Sequence, residues 1–192
     1  MARVGFTKAK YNVIDGTTGK FKGTPKDFEK VVDEKLATEF NSGELYGNDA
    51  LQESDYSFKS GTLSITICDD DDTFIAEIMG QGVGSETTEI TQNVNDMAPY
   101  CAYGHIVPKI VGGVRKYKVE VLPKVKFTSV STESQTRGDT TEFKTTSLEA
   151  KIYALDKALG EFAVGDWEKH QTFATLSEAE TYLTKLLTTT GS

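Results

Sequence analysis

Four consecutive aspartates, Asp69 to Asp72, form the densest group of potential ligands in the chain. Clustered carboxylates can hold calcium or magnesium. Here, however, four successive side chains cannot converge on one ion, and the alternating ligand spacing of an EF-hand is absent. The run stands just before the apolar-periodic Phe74, Ile75, Ile78 and Met79. That placement fits a helix N-terminus, where the dipole favours negative charge and Asp71 or Asp72 can act as cap. His105 and His170 have neither triad nor ligand spacing and read as structural histidines. Cys68 and Cys101 lie on separate apolar runs. A disulfide between them is geometrically possible, but the plainer reading is two reduced, partly buried thiols, and no CxxC or Cys/His cluster suggests zinc. No GxSxG elbow surrounds a serine. Gly80-Gln81-Gly82-Val83-Gly84 and Gly112-Gly113 lack the lysine and helix of a phosphate loop and read as turns. With 29 acidic residues a hydrolytic carboxylate pair is conceivable, but nothing marks one. The expectation is a chain with no catalytic residue, no cofactor and no metal.

The totals bound what remains. The 192 residues suffice for one well-packed domain, 1–192, and 38% hydrophobic with 10% aromatic content supports a core. No apolar run approaches the roughly 18 residues of a membrane span. The start, MARVGFTKAKYNV, lacks the apolar centre and cleavage site of a signal peptide. Neither membrane insertion nor export is expected. A formal charge of −8 argues against a surface that grips nucleic acid, which needs clustered Lys and Arg. Such a protein can still have DNA pass beside it without sticking.

The elements follow from patterning. Residues 61–68 alternate cleanly, Leu63, Ile65 and Ile67 against Thr62, Ser64 and Thr66, as a half-buried strand does. Residues 106–127 read as a hairpin about Gly112-Gly113, a turn suited to positive φ. Its return strand sets Tyr117, Val119 and Val121 against Lys116, Lys118 and Glu120, and Pro123 marks a sheet edge or a bulge. Further strands are expected over 3–15, 99–107, 142–155 and 162–164, with a short helix over roughly 73–79. Residues 27–40 fit both a helical stripe and a strand face. Ser129 to Thr141 reads as a mobile loop. The last helix has Ser177 as N-cap and Glu180 three residues on, a capping box, before a tail at 188–192 that frays. The class is α+β, mainly β: an antiparallel β-sandwich or barrel with a short helix and a C-terminal helix packed on one face.

Between these elements, residues 41–60 form a long polar segment carrying Leu45, Tyr46, Leu51, Tyr56 and Phe58, read as a protruding loop. Apolar anchors in a polar frame are what a subunit contact needs. The segments LYGNDALQESDYSFKSGTLSITICDDDD, NVNDMAPYCAYGHIVPKIVGGVRKYKVEVLPKVKF, TTEFKTTSLEAKIYAL and GDWEKHQTFATLSEAETYLTKLL occur in this order and together resemble the major tail proteins of siphophages, the tail tube subunits of long non-contractile tails. The resemblance runs from about residue 3 to residue 187 and is weakest over 16–40. It implies a hexameric ring whose inner strands join into one barrel, rings stacked into a tube, and a loop, here 41–60, reaching from one ring to the next. It implies strand over 27–40. It also implies tape-measure, tail terminator and distal tail proteins as partners, phage DNA passing transiently through the lumen during ejection into the host, assembly in the bacterial host cytoplasm and a place in the virion tail. The tube of a contractile tail shares the fold implied. A different class of reading is a monomeric β-sandwich module that binds carbohydrate or peptide on Tyr46, Tyr56, Tyr100, Tyr103 and Trp167.

Overall fold

In the computed structural model, residues 2–3, 5–28, 30–47, 50–68, 71–83, 89–132 and 145–188 are described, with backbone alone for 2–3, 44–47 and 50–55. The chain runs β1 (Ala2–Arg3), β2 (Lys8–Val13), β3 (Lys26–Asp27), β4 (Val31–Gly47), β5 (Ala50–Ile67), α1 (Asp72–Met79), β6 (Gly82–Val83), β7 (Ile90–Thr91), β8 (Cys101–Val111), β9 (Val114–Thr132), β10 (Thr146–Ile152), β11 (Lys169–Phe173) and α2 (Leu176–Leu186). All but β6 and β7 belong to one antiparallel sheet ordered β3-β2-β8-β9-β10-β5-β4, with β1 on β8 and β11 on β9. The fold is therefore α+β, mainly β.

Alternation on β8 builds a core on each face of this sheet. Cys101 and Tyr103 point to one side, where Leu63, Ile65, Leu148, Ile152 and Phe127 pack against Phe74, Ile75 and Ile78 of α1. Ala102 and Ile106 point to the other, onto Val119, Val121 and the Ala179, Leu183 and Leu186 stripe of α2. The two helices thus lie on opposite faces of β8, not together on one face. A strand covered on both sides carries no polar stripe, and β8 is buried over Cys101–Pro108.

Gly112 and Gly113 both have positive φ, 60° and 80°, and make the two-residue turn between β8 and β9. Pro123 marks a bulge inside the sheet and no edge. Tyr103 faces Leu122 and Cys101 faces Val125, so Pro123 and Lys124 stand against Ala102 alone. At this point β9 changes neighbours, from β11 over 117–121 to β10 over 125–132.

The choice left open over 27–40 resolves to strand from Val31 on, as the resemblance implies. Three further expectations are corrected. The expected loop at 41–60 is the outer part of a β4–β5 hairpin, paired from Phe40↔Phe58 to Gly47↔Ala50. Backbone pairing organises it without any apolar alternation. Residues 162–164 are not a strand: Phe162 makes one isolated bridge to Leu159, and the strand lies instead at β11. The expected loop at 129–141 begins later, since Ser129–Thr132 belong to β9; its remainder, like Asp69, Asp70 and the tail at 189–192, lies outside the described residues.

Candidate assembly interface

The expected caps resolve differently at the two helices. Asp71 is the N-cap of α1: its Oδ1 accepts from the backbone N–H of Thr73 at 2.8 Å and of Phe74 at 3.4 Å. A bond from the Thr73 hydroxyl at 2.6 Å, and after it these backbone bonds, hold the Asp71 carboxyl below its usual range. Asp72 sits in the first turn. In α2 the capping box is Thr175 with Glu178, two residues earlier than Ser177 with Glu180. Both pairs fit the same Ser/Thr-x-x-Glu spacing. Ser177 lies inside the first turn, and Glu180 is spent on Lys8 at 2.8 Å.

Strands β9, β10, β5 and β4 form a four-stranded blade. The pairing runs from Val125↔Ile152↔Gly61 to Thr132↔Thr146↔Ile67, with one bulge at Thr128 on β9, and β4 adds Val31 to Thr38 against Ile67 to Gly61, with a second bulge at Val32. Among the described residues no strand pairs with the outer edge of β4 or with the outer edge of 126–132 on β9. The blade thus presents two open backbone edges. Beyond Gly61, where β10 ends, β4 and β5 continue as a two-stranded arm roughly 35 Å long at ~3.4 Å per residue. Phe58 stacks on Trp167 at its base, ring centroids 4.5 Å apart and nearly parallel, with Phe40 edge-on to both. Tyr56 further out is exposed, and Val32, Leu36 and Phe40 along β4 are exposed too. The side chains of Leu45, Tyr46 and Leu51 lie outside the described set, although their backbones are in the arm.

A polar cluster fixes where β4 sits. Glu34 pairs with Ile65 and so points to the core face, where a lone carboxylate would be costly. Its Oε2 accepts from the Tyr103 hydroxyl at 2.8 Å, and its Oε1 lies 3.4 Å from His105 Nδ1. His105 is buried and stacks on Phe6 at 5.3 Å. Its Nε2–H donates to Glu120 Oε2 at 3.0 Å, and Glu120 Oε1 accepts from Lys118. Burial pushes Glu120 up, but the hydrogen bonds from His105 and Lys118 outweigh it and bring the carboxyl down to about 2. Burial, then the Glu34 charge and bond, raise the Tyr103 phenol well above its usual value. A cleft of about 430 Å³ borders the cluster, lined by Phe6, Val32, Leu36 and Val107 beside the charged groups. These contacts tie the last strand of the sheet, β4, to β8 and β9 in its middle.

Sequence reading missed this cluster. It placed Glu120 with Lys116 and Lys118 on a solvated face, and that face is covered by Glu34 and Phe6. The one available signal was a histidine at an inward position of an apolar strand, which requires polar partners.

Among the described residues the two cysteines and His170 lie apart from one another. Cys101 is buried, its thiol pushed up to about 12 by burial and then by the Glu77 charge, while Cys68 is exposed and both are free. His170 is exposed and pairs with Glu168 at 3.3 Å. A cleft of about 760 Å³ contains Glu77, which accepts from Tyr11 and Lys26 at 2.5 and 2.6 Å. Among the described residues no three His, Cys, Asp or Glu could hold a metal. Of the aromatic residues weighed as a binding platform, the four with described side chains do not meet. Tyr103 is fully buried, Trp167 is covered by Phe58, Tyr56 is on the arm, and Tyr100 packs edge-on to Tyr153 between Lys124 and Lys126.

A scan against protein-family models finds no match, and a search of curated proteins finds none. Eleven solved chains match the fold. One is the cryo-electron-microscopy structure of the anti-feeding prophage cap, a tube-terminating cap, with TM-score 0.43 and 9% identity over 90% of this chain and 94% of that one. At that score and identity it is a remote likeness of chain trace, and nothing about assembly follows from it.

Proposed function

We propose that this chain is a structural subunit of a phage-type tail tube, closing into rings through the edges of its four-stranded blade. The observation that carries the reading is the pair of open edges. β9, β10, β5 and β4 alternate in direction, so β4 of one copy can lie antiparallel beside residues 126–132 of the next. The sheet then continues without a break from copy to copy. Open edges of this length are a liability in a lone molecule, and closure removes them. The contact is heterologous, so it generates rings, and rings offset along an axis generate tubes. Strands lie ~4.8 Å apart, so four per copy contribute ~19 Å of wall, and six copies make a backbone ring roughly 37 Å across. That leaves room for a double helix.

The siphophage resemblance of the four sequence segments supports the same reading, including six copies per ring, stacking through the arm, a virion tail location, and partners at the tape measure and both tube ends. The chain would act as a passive conduit for the genome, with no enzymatic step. The test is negative-stain electron microscopy of the purified chain across a concentration series. Rings or hollow tubes that grow with concentration support the reading. A monomer at every concentration that binds a sugar or peptide saturably refutes it in favour of a binding module.

A further inference from the structure

Val94 and Met97 are the most exposed large apolar residues among those described, at 97% and 77%, yet they stand on a loop built to hold them still. The backbone N–H of Asn93 donates to Asp96 Oδ2 at 2.7 Å, and that of Asp96 to the Asn93 carbonyl at 3.0 Å. The N–H of Asn95 donates to Asn93 Oδ1 at 2.9 Å. The exit of the loop is fixed as well. The Met97 carbonyl packs against Gly80, the left-handed C-cap of α1, so closely that a Cβ there would collide with it. A loop ordered by its own bonds loses little freedom on docking, and apolar side chains presented this way mark an interaction site.

We infer that Met97, with Val94 beside it, is the knob of a lateral contact whose socket is the cleft of about 430 Å³ at β4 of a second copy. The inference rests on the ring reading above and adds a side-chain contact to its backbone pairing. Cys101 pairs with Val125, so the loop before it stands beside the open edge at 126–132, and Lys126 Nζ lies 5.4 Å from the Tyr100 ring. The cleft stands at the other open edge. Asp33 to Leu36 share cross-strand rows with Ser131 to Phe127, so joining the two edges brings the loop of one copy level with the cleft of the next. Both lie on the α1 side of the sheet: Met97 borders Phe74, and Val107 of the cleft shares a face of β8 with Tyr103. The chemistry of the two surfaces matches. Phe6, Val32, Leu36 and Val107 make an apolar wall, and Val32 and Leu36 are exposed in the lone chain. An unbranched thioether adapts to such an irregular gap. Asp33 on the rim disfavours an anionic partner, and the loop's own charge, Asp96, is folded onto the Asn93 amide. The neutral side-chain amides of Asn93 and Asn95 are donors that suit Asp33.

The test mixes two chains that both carry Cys68→Ser, one with Met97→Cys and the other with Val32→Cys, and adds a short bismaleimide after assembly. A second mixture, Ala37→Cys with Thr128→Cys in the same background, reports edge pairing alone. The socket predicts a cross-linked heterodimer from the first mixture and little from either of its chains assembled alone. A heterodimer from the second mixture with none from the first overturns the socket and leaves the ring reading standing. No assembly, or assembled particles that cross-link in neither mixture, fails the ring reading and the socket with it. Met97→Asp supplies an independent readout, because the side chain is exposed in the monomer. It should leave the circular dichroism spectrum unchanged and raise the concentration needed for assembly by about tenfold or more. An unchanged threshold overturns the inference.

Discussion

Replacing Glu120 with Gln removes one charge and no volume from the cluster that seats β4. In the folded chain this carboxyl is held at about 2 against an ordinary 4.5 by His105 and Lys118. The folded value lies below the unfolded one, so the stabilisation is complete above about pH 4.5 and is lost as pH falls towards 2. The difference sets a ceiling of about 3 kcal/mol, at about 1.4 kcal/mol per pH unit. The group borders a cleft, and solvent screening reduces the effect to about 1–2 kcal/mol. For a chain of this length that is a fall in Tm of roughly 2–8 °C at pH 7. Thermal unfolding of the unassembled chain, followed by circular dichroism at pH 7, 5 and 3, reads it directly. Glu120→Gln should melt earlier at pH 7, and the gap from the parent should narrow to under half by pH 3. Equal Tm at pH 7, or a gap that persists unchanged in acid, would refute the assignment of this charge as a stabilising tie.

Three other outcomes follow from the same geometry. Leu51→Asp or Tyr56→Asp in the arm should leave the monomer folded and block stacking of rings into tubes, as seen by electron microscopy; normal tubes from both would remove the arm from the stacking contact. Gly104→Ala brings a Cβ to 2.5 Å from Leu183 Cδ1 and 2.9 Å from Val121 Cγ2, so α2 must shift at a cost of about 1–3 kcal/mol, measurable by urea unfolding. Thr175→Ala should cost about 0.5–2 kcal/mol as a lost cap while Ser177→Ala costs far less, and the reverse order in urea unfolding would reinstate the later capping frame.

Much of the blade was legible because its residues face a core on one side only. Leu63, Ile65 and Ile67, and Leu148, Ala150 and Ile152, alternate with polar residues, and the Gly112-Gly113 turn needs a conformation that glycine supplies. Strands without such a contrast were not legible. The arm pairs by backbone alone, so Asn41 to Ser60 has loop composition and strand structure. β11, Lys169–Phe173, is almost wholly polar and is recruited by the exposed flank of β9. On β4 the core-facing Glu34 interrupts the apolar pattern, and its partners Tyr103 and His105 lie some seventy residues away, beyond any local signal. The placement of the helices on opposite faces was hidden for a related reason. β8 is apolar on both sides, and periodicity cannot say which side a helix takes. Among the sites, Asp71 was readable because an acidic run before an apolar helix has one local use. The open edges depend on which strands end beside which, and only the assembled sheet shows that.

The central claim is that β4 of one copy pairs with residues 126–132 of the next, and cross-linking between marked copies tests it most directly. Two chains are mixed and allowed to assemble, both carrying Cys68→Ser, one with Ala37→Cys on β4 and the other with Thr128→Cys on β9, and a short bismaleimide is added. The account predicts a prominent cross-linked heterodimer from the assembled mixture, and little from either chain assembled alone. Assembled particles that give no heterodimer would contradict edge pairing as the contact that closes the ring.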